Sequence, residues 1–369
     1  MVKGKETMTS RERVLRTFNH EKADRTPFGY STNPGNQERL LNHYGLKNDE
    51  HEKLLKILGV DLRAVGASYT GPRLHAEIPN PYDDPKKLIH VDPMLGYHLR
   101  YVENNSGGYW DYCDFPLMEA DEETVANWPL PNPDDYDYSQ VADACKQHDE
   151  YALYVHCYGD YINGNTMLRS MEQTLVDLIT DDPAGLLLAE RRFEYQLKVC
   201  ERILDAAKGR IDFAWLGEDL GTQDSPIISL DLFRKHILPQ HKKLADMVHS
   251  YGANVMMHTC GSSSWAYEDF ISIGINAVDT LQPECKDMDP ATLVNRFGTR
   301  LAFHGCISTA GPLAFGTPQD VEKNIIETLE IMKPCYGYML APTHMIQDNT
   351  PLENVLTMYE TARKYGFYD

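Results

Sequence analysis

Val255-Met256-Met257-His258-Thr259-Cys260-Gly261 is an apolar run that stops abruptly on a histidine, a cysteine and a glycine. The run has the length and composition of a buried strand. In extended backbone residues i and i+2 point to the same side, so His258 and Cys260 converge at the strand's carboxyl end. In α/β proteins that end is where chemistry is usually placed. The plain alternative is a core thiol beside a hydrogen-bonded histidine. Two donors do not complete a zinc site, so a third must come from elsewhere. His344, in Leu340-Ala341-Pro342-Thr343-His344, is the best candidate, ahead of Cys306 and Cys335.

Working outward, apolar strand-like runs fall at 27–30, 60–65, 152–157, 211–216, 254–258, 276–281, 301–304 and 337–341. Helix-like segments lie between them: Leu186 to Ala207, Leu230 to Tyr251, Trp265 to Ile273, Pro290 to Phe297, Pro318 to Met332 and Pro351 to Tyr365. Thr9-Ser10-Arg11-Glu12 has capping-box spacing and predicts a first helix near residue 10. Eight strands alternating with helices predict an α/β fold, a closed (β/α)8 TIM-type barrel spanning 1–369 as one domain, in preference to an open doubly wound sheet. Neither a Gly-x-Gly-x-x-Gly nor a Walker-type loop follows any strand, which argues against a nucleotide site. Residues 79–150 break the alternation. Tyr97 to Val102 and Gly108 to Tyr112 predict an inserted antiparallel hairpin or lid, with a small separate domain as the alternative. Tyr109, Trp110 and Tyr112 there read as hairpin packing before they read as a cover for a flat ligand.

The charge balance, 35 basic against 55 acidic residues for a net −20, repels phosphate backbones and anionic lipid surfaces. Nucleic acid is therefore not expected as a partner. No apolar run approaches the roughly 20 residues of a spanning helix, so no membrane partner is expected either. The basic start Met1-Val2-Lys3-Gly4-Lys5 is not followed by an apolar leader, which gives a cytoplasmic expectation. In that compartment the eight cysteines should mostly be free thiols.

Polar residues just beyond each barrel strand share one mouth. They include Tyr30, His156, Tyr158, Asp160, Glu218, Asp219, Gln282, Glu284, His304 and Gln347 beside the three metal-ligand candidates. Zinc suits a thiolate with imidazoles, and three protein ligands leave a position open for a substrate. Adjacent carboxylates repel, so one of Glu218 and Asp219 is expected to act as an acid or base, with Tyr158 and His156 as further catalytic candidates. Tyr30, Gln223, Gln282 and His304 are the expected contacts to a bound cofactor.

Arg11-Glu12-Arg13-Val14-Leu15, Asp24-Arg25-Thr26-Pro27, Asp219-Leu220-Gly221-Thr222-Gln223, His258-Thr259-Cys260-Gly261, Phe315-Gly316-Thr317-Pro318 and Thr350-Pro351-Leu352-Glu353-Asn354-Val355 follow one another in this order. Together they make the chain resemble the uroporphyrinogen decarboxylase superfamily, within it the branch related to corrinoid-dependent methyltransferases. The resemblance covers nearly the whole chain. It implies a (β/α)8 barrel, zinc held by a His-x-Cys pair plus a later cysteine, and methyl transfer between a corrinoid and an acceptor. His258 and Cys260 match the pair; at the later position this chain carries His344. An authentic uroporphyrinogen decarboxylase has an arginine-rich segment after its first proline, where this chain has Phe28-Gly29-Tyr30-Ser31-Thr32-Asn33-Pro34. A substrate bearing many carboxylates needs cationic partners, which that loop does not supply.

The leading expectation is thus a zinc methyltransferase that moves a methyl group between a small O-, N- or S-methylated compound and a corrinoid, with a separate corrinoid protein as a candidate partner. The rivals are a metal-free decarboxylase of a small carboxylic acid and a non-catalytic barrel that binds a corrinoid or tetrapyrrole.

Overall fold

The computed structural model describes residues 4–79, 84, 87–104, 107–157 and 159–369. Seven parallel strands form one curled sheet in chain order: β1 (Leu62–Ala64), β2 (Ala152–His156), β3 (Phe213–Gly217), β4 (Asn254–His258), β5 (Ala277–Leu281), β6 (Ala302–Ile307) and β7 (Tyr338–Pro342). The eighth predicted strand, 27–30, is reduced to a single parallel bridge between Phe28 and Leu340. Gly29 N–H donates to Leu340, Leu340 N–H to Pro27, and Asp61 N–H to Phe28, so this segment closes the sheet between β7 and β1. The sheet is thereby a TIM-like barrel, as the alternation predicts.

Inward-facing residues are layered because side chains alternate along each strand. At the amino-terminal end Leu62, Ala152, Phe213, Met256, Ala277, Ala302 and Met339 make one apolar cluster, plugged from below by Val14 and Phe18. These two come from the helix Ser10–Phe18, which opens with the predicted Thr9/Glu12 capping box. Two residues further along three neighbouring strands, the same inward column carries His258, Asp279 and His304, which stand side by side in register. The apolar end is sealed and the chemistry is confined to the other.

The helices predicted at Pro290–Phe297 and Pro318–Met332 have those bounds. Leu230–Ser250 contains a π-helical turn, Phe233–Ile237, just before Pro239, whose missing N–H cannot sustain the regular ladder. Two helices between β2 and the long helix Pro183–Ala207, namely Ile162–Arg169 and Met171–Thr180, are not among the helix-like segments expected from the sequence. The inserted hairpin pairs His98–Asn104 with Gly107–Cys113, with Tyr101 opposite Trp110. Its rings pack edge-on, Tyr97 with Tyr112 at 5.4 Å and Tyr101 with Trp110 at 5.5 Å between centroids. Six cysteines are free thiols, while Cys157 and Cys200 are bonded to each other and tie the end of β2 to the long helix, an exception to the expected free state. Among the described residues no helix is long and apolar enough to cross a membrane.

Candidate metal centre

β4 ends on His258, and Cys260 follows two residues later in the loop. His344, beyond the end of β7, comes to the same place, so one ligand atom from each of the three lies within 4.8 Å of the others. Cys260 Sγ is 3.5 Å from His258 Nε2, and the two imidazole centroids are 5.8 Å apart. Cys306 and Cys335, the weaker candidates, do not join this group; Cys306 is buried in β6.

Behind His258 stands Asp279. Its carboxylate lies 2.8 Å from His258 Nδ1 and 2.6 Å from His304 Nδ1. Burial alone would raise its pKa, but the His304 and His258 imidazoles hold it well below the usual carboxylate range. An ionised carboxylate only accepts, so both Nδ1 atoms donate to it, and His258 Nε2 is the ring nitrogen left beside Cys260 Sγ. The same carboxylate pulls the His258 pKa up against the opposing effect of burial.

Asp279 reaches this position through an irregular strand. The pairing of β5 with β6 shifts register between Asp279 and Leu281, and Thr280 adopts a positive φ of 62°. For a β-branched residue this conformation costs roughly 1–3 kcal/mol, a strain that the surrounding structure must hold. The bulge lets two consecutive residues serve one imidazole: Thr280 Oγ1 is 2.7 Å from His258 Nδ1 and 3.1 Å from Asp279 Oδ2.

The cysteine loop is held equally firmly. Cys260 N–H donates to Asp219 Oδ1 at 2.9 Å, and Asn163 donates to Asp219 Oδ2 at 3.0 Å. Asp219 Oδ1 is also 3.8 Å from His258 Nε2. Burial works to raise the Asp219 pKa, yet His258 and Asn163 keep it low. Gly261 N–H donates to Gln282 Oε1 at 2.7 Å. Gly261 has φ 73°, and a Cβ on it would sit 2.1 Å from the Gly221 carbonyl oxygen, so only glycine fits this crossing of two loops. Burial, then the Asp219 charge, push the Cys260 thiol up. A cation bound between the three donors reverses that balance, since metal coordination favours the thiolate.

The remaining sequence candidates divide by position. His156, at the end of β2, is exposed within the concave mouth and stacks on Trp215 at 5.8 Å; its desolvated surroundings push its pKa down to about 4. Glu218 is fully buried, and its two oxygens accept from the backbone N–H groups of Tyr161 and Ile162 at 2.6 and 2.9 Å. Burial raises its pKa, and its place is that of a tie between wall segments rather than a group lining the mouth. His304 and Tyr30 line a cavity that they share with residues of β1 and the helix His51–Leu58. Gln223 is exposed on its loop, where its carbonyl accepts from Lys286 N–H. Tyr158 lies outside the described residues. Sequence reasoning missed Asp279, Thr280 and Asn163. The available signal was Asp279 itself, a carboxylate in the middle of the apolar strand Ala277-Val278-Asp279-Thr280-Leu281, since a buried charge needs a partner.

Residues 220–365, which hold β4 to β7 and all three candidate ligands, match the family model of uroporphyrinogen decarboxylase (URO-D). Over this region the chain is similar to that family. Among solved structures, a methyltransferase from Methanosarcina mazei matches at 17% identity with a TM-score of 0.63, covering 96% of this chain and 98% of that one. The two therefore share one architecture from end to end. An IOLI protein with a bound zinc atom (12% identity, 61% and 78% coverage, TM-score 0.33) and a D-psicose 3-epimerase in the presence of D-fructose (12%, 63% and 82%, TM-score 0.37) match too weakly to bear on the site. No curated protein sequence matches the chain.

Proposed function

We propose that this protein is a zinc-dependent methyltransferase that moves a methyl group between a small O-, N- or S-methylated compound and a corrinoid. The observation that carries the reading is the convergence of His258, Cys260 and His344 at the open end of the barrel. Two imidazoles and a thiol are a donor set suited to zinc, and three protein ligands leave a fourth position for a substrate atom. Zinc held there supplies Lewis acidity toward the heteroatom that bears or accepts the methyl group.

The chain's own residues prepare that position. Asp279 keeps the proton on His258 Nδ1 and so fixes which ring nitrogen faces the centre. Asp219 and Asn163 hold the Cys260 loop at a set distance from His258. His156, neutral at ordinary pH, is a proton acceptor in the same mouth. The sealed apolar end keeps water from entering the barrel from behind.

The test has two parts. Metal content by mass spectrometry should be near one zinc per chain in the wild type and absent from His258→Ala and Cys260→Ser. Free reduced cobalamin, mixed with candidate methylated compounds, should change its visible spectrum only with the metal-loaded protein. Full turnover by metal-free protein would sink the proposal.

A further inference from the structure

A cavity of about 320 Å³ is lined on the strand side by Tyr30, Leu62, Ala64, Tyr154, Trp215 and His304 and on the other by the helix His51–Leu58. Its link to the metal centre is direct: His304 shares the Asp279 carboxylate with His258. Trp215 extends the wall toward the mouth, where His156 stacks on it and His304 meets it edge-on at 5.1 Å between centroids. Tyr154 is backed by Phe213, stacked at 5.2 Å.

The lining is electrically closed. Its formal charges are Arg63 and Glu52, and these face each other, Nε to Oε2 at 2.7 Å and Nη2 to Oε1 at 3.2 Å. Arg63 Nη1 is taken by the carbonyls of Val60 and Leu62, and its guanidinium lies over the Tyr151 ring at 3.8 Å. Burial lowers the pKa of both His51 and His148, which favours their neutral forms. Arg63 and Glu52 thus answer each other, and neither is left over for an ionic ligand; His304 Nε2 is a buried lining atom with no hydrogen-bond partner. An apolar cavity of ~150 Å³ accepts benzene, so the larger space here holds one ring with substituents. A corrin macrocycle is too large for it and must remain at the mouth.

We propose that this cavity is a binding subsite for an uncharged single-ring aromatic molecule, held against Trp215 and Tyr154 with its substituent directed toward the metal centre. That the substituent bears the transferred methyl group rests on the methyl-transfer reading; the ring-binding itself does not.

Calorimetric titration of the purified protein with phenol, benzoate, tetramethylammonium and cyclohexanol tests the subsite without any turnover. Phenol should bind at least ten-fold more tightly than the two ions and more tightly than the non-aromatic alcohol. Ala64, an exposed residue of β1 in the cavity lining, offers a way to fill it. Ala64→Phe should weaken phenol at least ten-fold while melting temperature and zinc content stay at wild-type values; Ala64→Val, the milder replacement, should weaken it by a smaller factor and serves if the larger side chain impairs folding. Undetectable phenol binding, equal binding of either ion, or unchanged phenol affinity in both variants would overturn the subsite. Loss of zinc dependence with phenol binding intact would overturn the methyl-transfer reading and leave the subsite standing.

Discussion

The two ends of the barrel are built by the same strands and behave oppositely. At the amino-terminal end Met256, Ala277 and Ala302 are fully buried in one apolar cluster, with Phe18 pressed in from below. Two residues later the same three strands present His258, Asp279 and His304, joined through one carboxylate. From the lower layer to the upper the three strands stay in register, and the slip in β5 comes only beyond Asp279; what changes between the layers is the side chains. The lower layer supplies transfer free energy and rigidity, and that rigidity lets the upper layer hold groups that would otherwise be costly to bury.

This division can be broken from either side. The largest effects should come from the two layers separately. Phe18→Ala should lower unfolding free energy by about 3–5 kcal/mol, measured by denaturant titration, and leave zinc affinity of the folded protein unchanged. Cys260→Ser should do the reverse, lowering zinc affinity at least 100-fold in a chelator competition while shifting stability little in metal-free protein. A variant that moved both quantities together would mean that the layers are not independent. Next in size, Asp279→Asn should weaken zinc binding about 10- to 100-fold, the usual cost of losing the group behind a ligating histidine.

A smaller effect concerns pH. The His156 pKa is held down to about 4, against 6.5 for a free imidazole. Between these values the unfolded chain takes up a proton that the folded chain refuses, so stability falls as pH falls through that window. His156→Gln should therefore lose less melting temperature than the wild type between pH 6.5 and pH 4. Smallest of all, Tyr109→Ser on the exposed hairpin should change stability by no more than about 0.5 kcal/mol and leave zinc binding untouched.

Much of this arrangement is legible in the chain because one periodicity governs it. The apolar run before His258 locates β4, and the i, i+2 rule brings His258 and Cys260 together. His344 was reachable by the same reasoning, as a soft donor just past another strand end. What escaped did so where the period slips. The register shift in β5 turns Asp279 and Thr280 to one imidazole, whereas simple alternation directed attention to Gln282 and Glu284 beyond the strand. Of these, Gln282 steadies the Gly261 amide. Glu218 carries the right chemistry at the right strand end, but the chain folds its carboxylate under the amides of Tyr161 and Ile162, which belong to a helix not expected from the sequence. The bond between Cys157 and Cys200 was hidden by the assumption that eight scattered cysteines stay reduced.

The segment around Phe28 gives the wall an uneven strength. Elsewhere neighbouring strands are stitched by three to five paired residues, but here two isolated bridges, Phe28 to Leu340 and Thr32 to Ile346, do the work of a strand. Opening free energy scales with what must be broken locally, and fewer paired residues hold this seam than hold any other join of the sheet. Tyr30 and Leu62, on either side of it, are also walls of the chamber that Trp215 and His304 line. A substitution that loosened this stave would therefore alter the shape of the chamber directly.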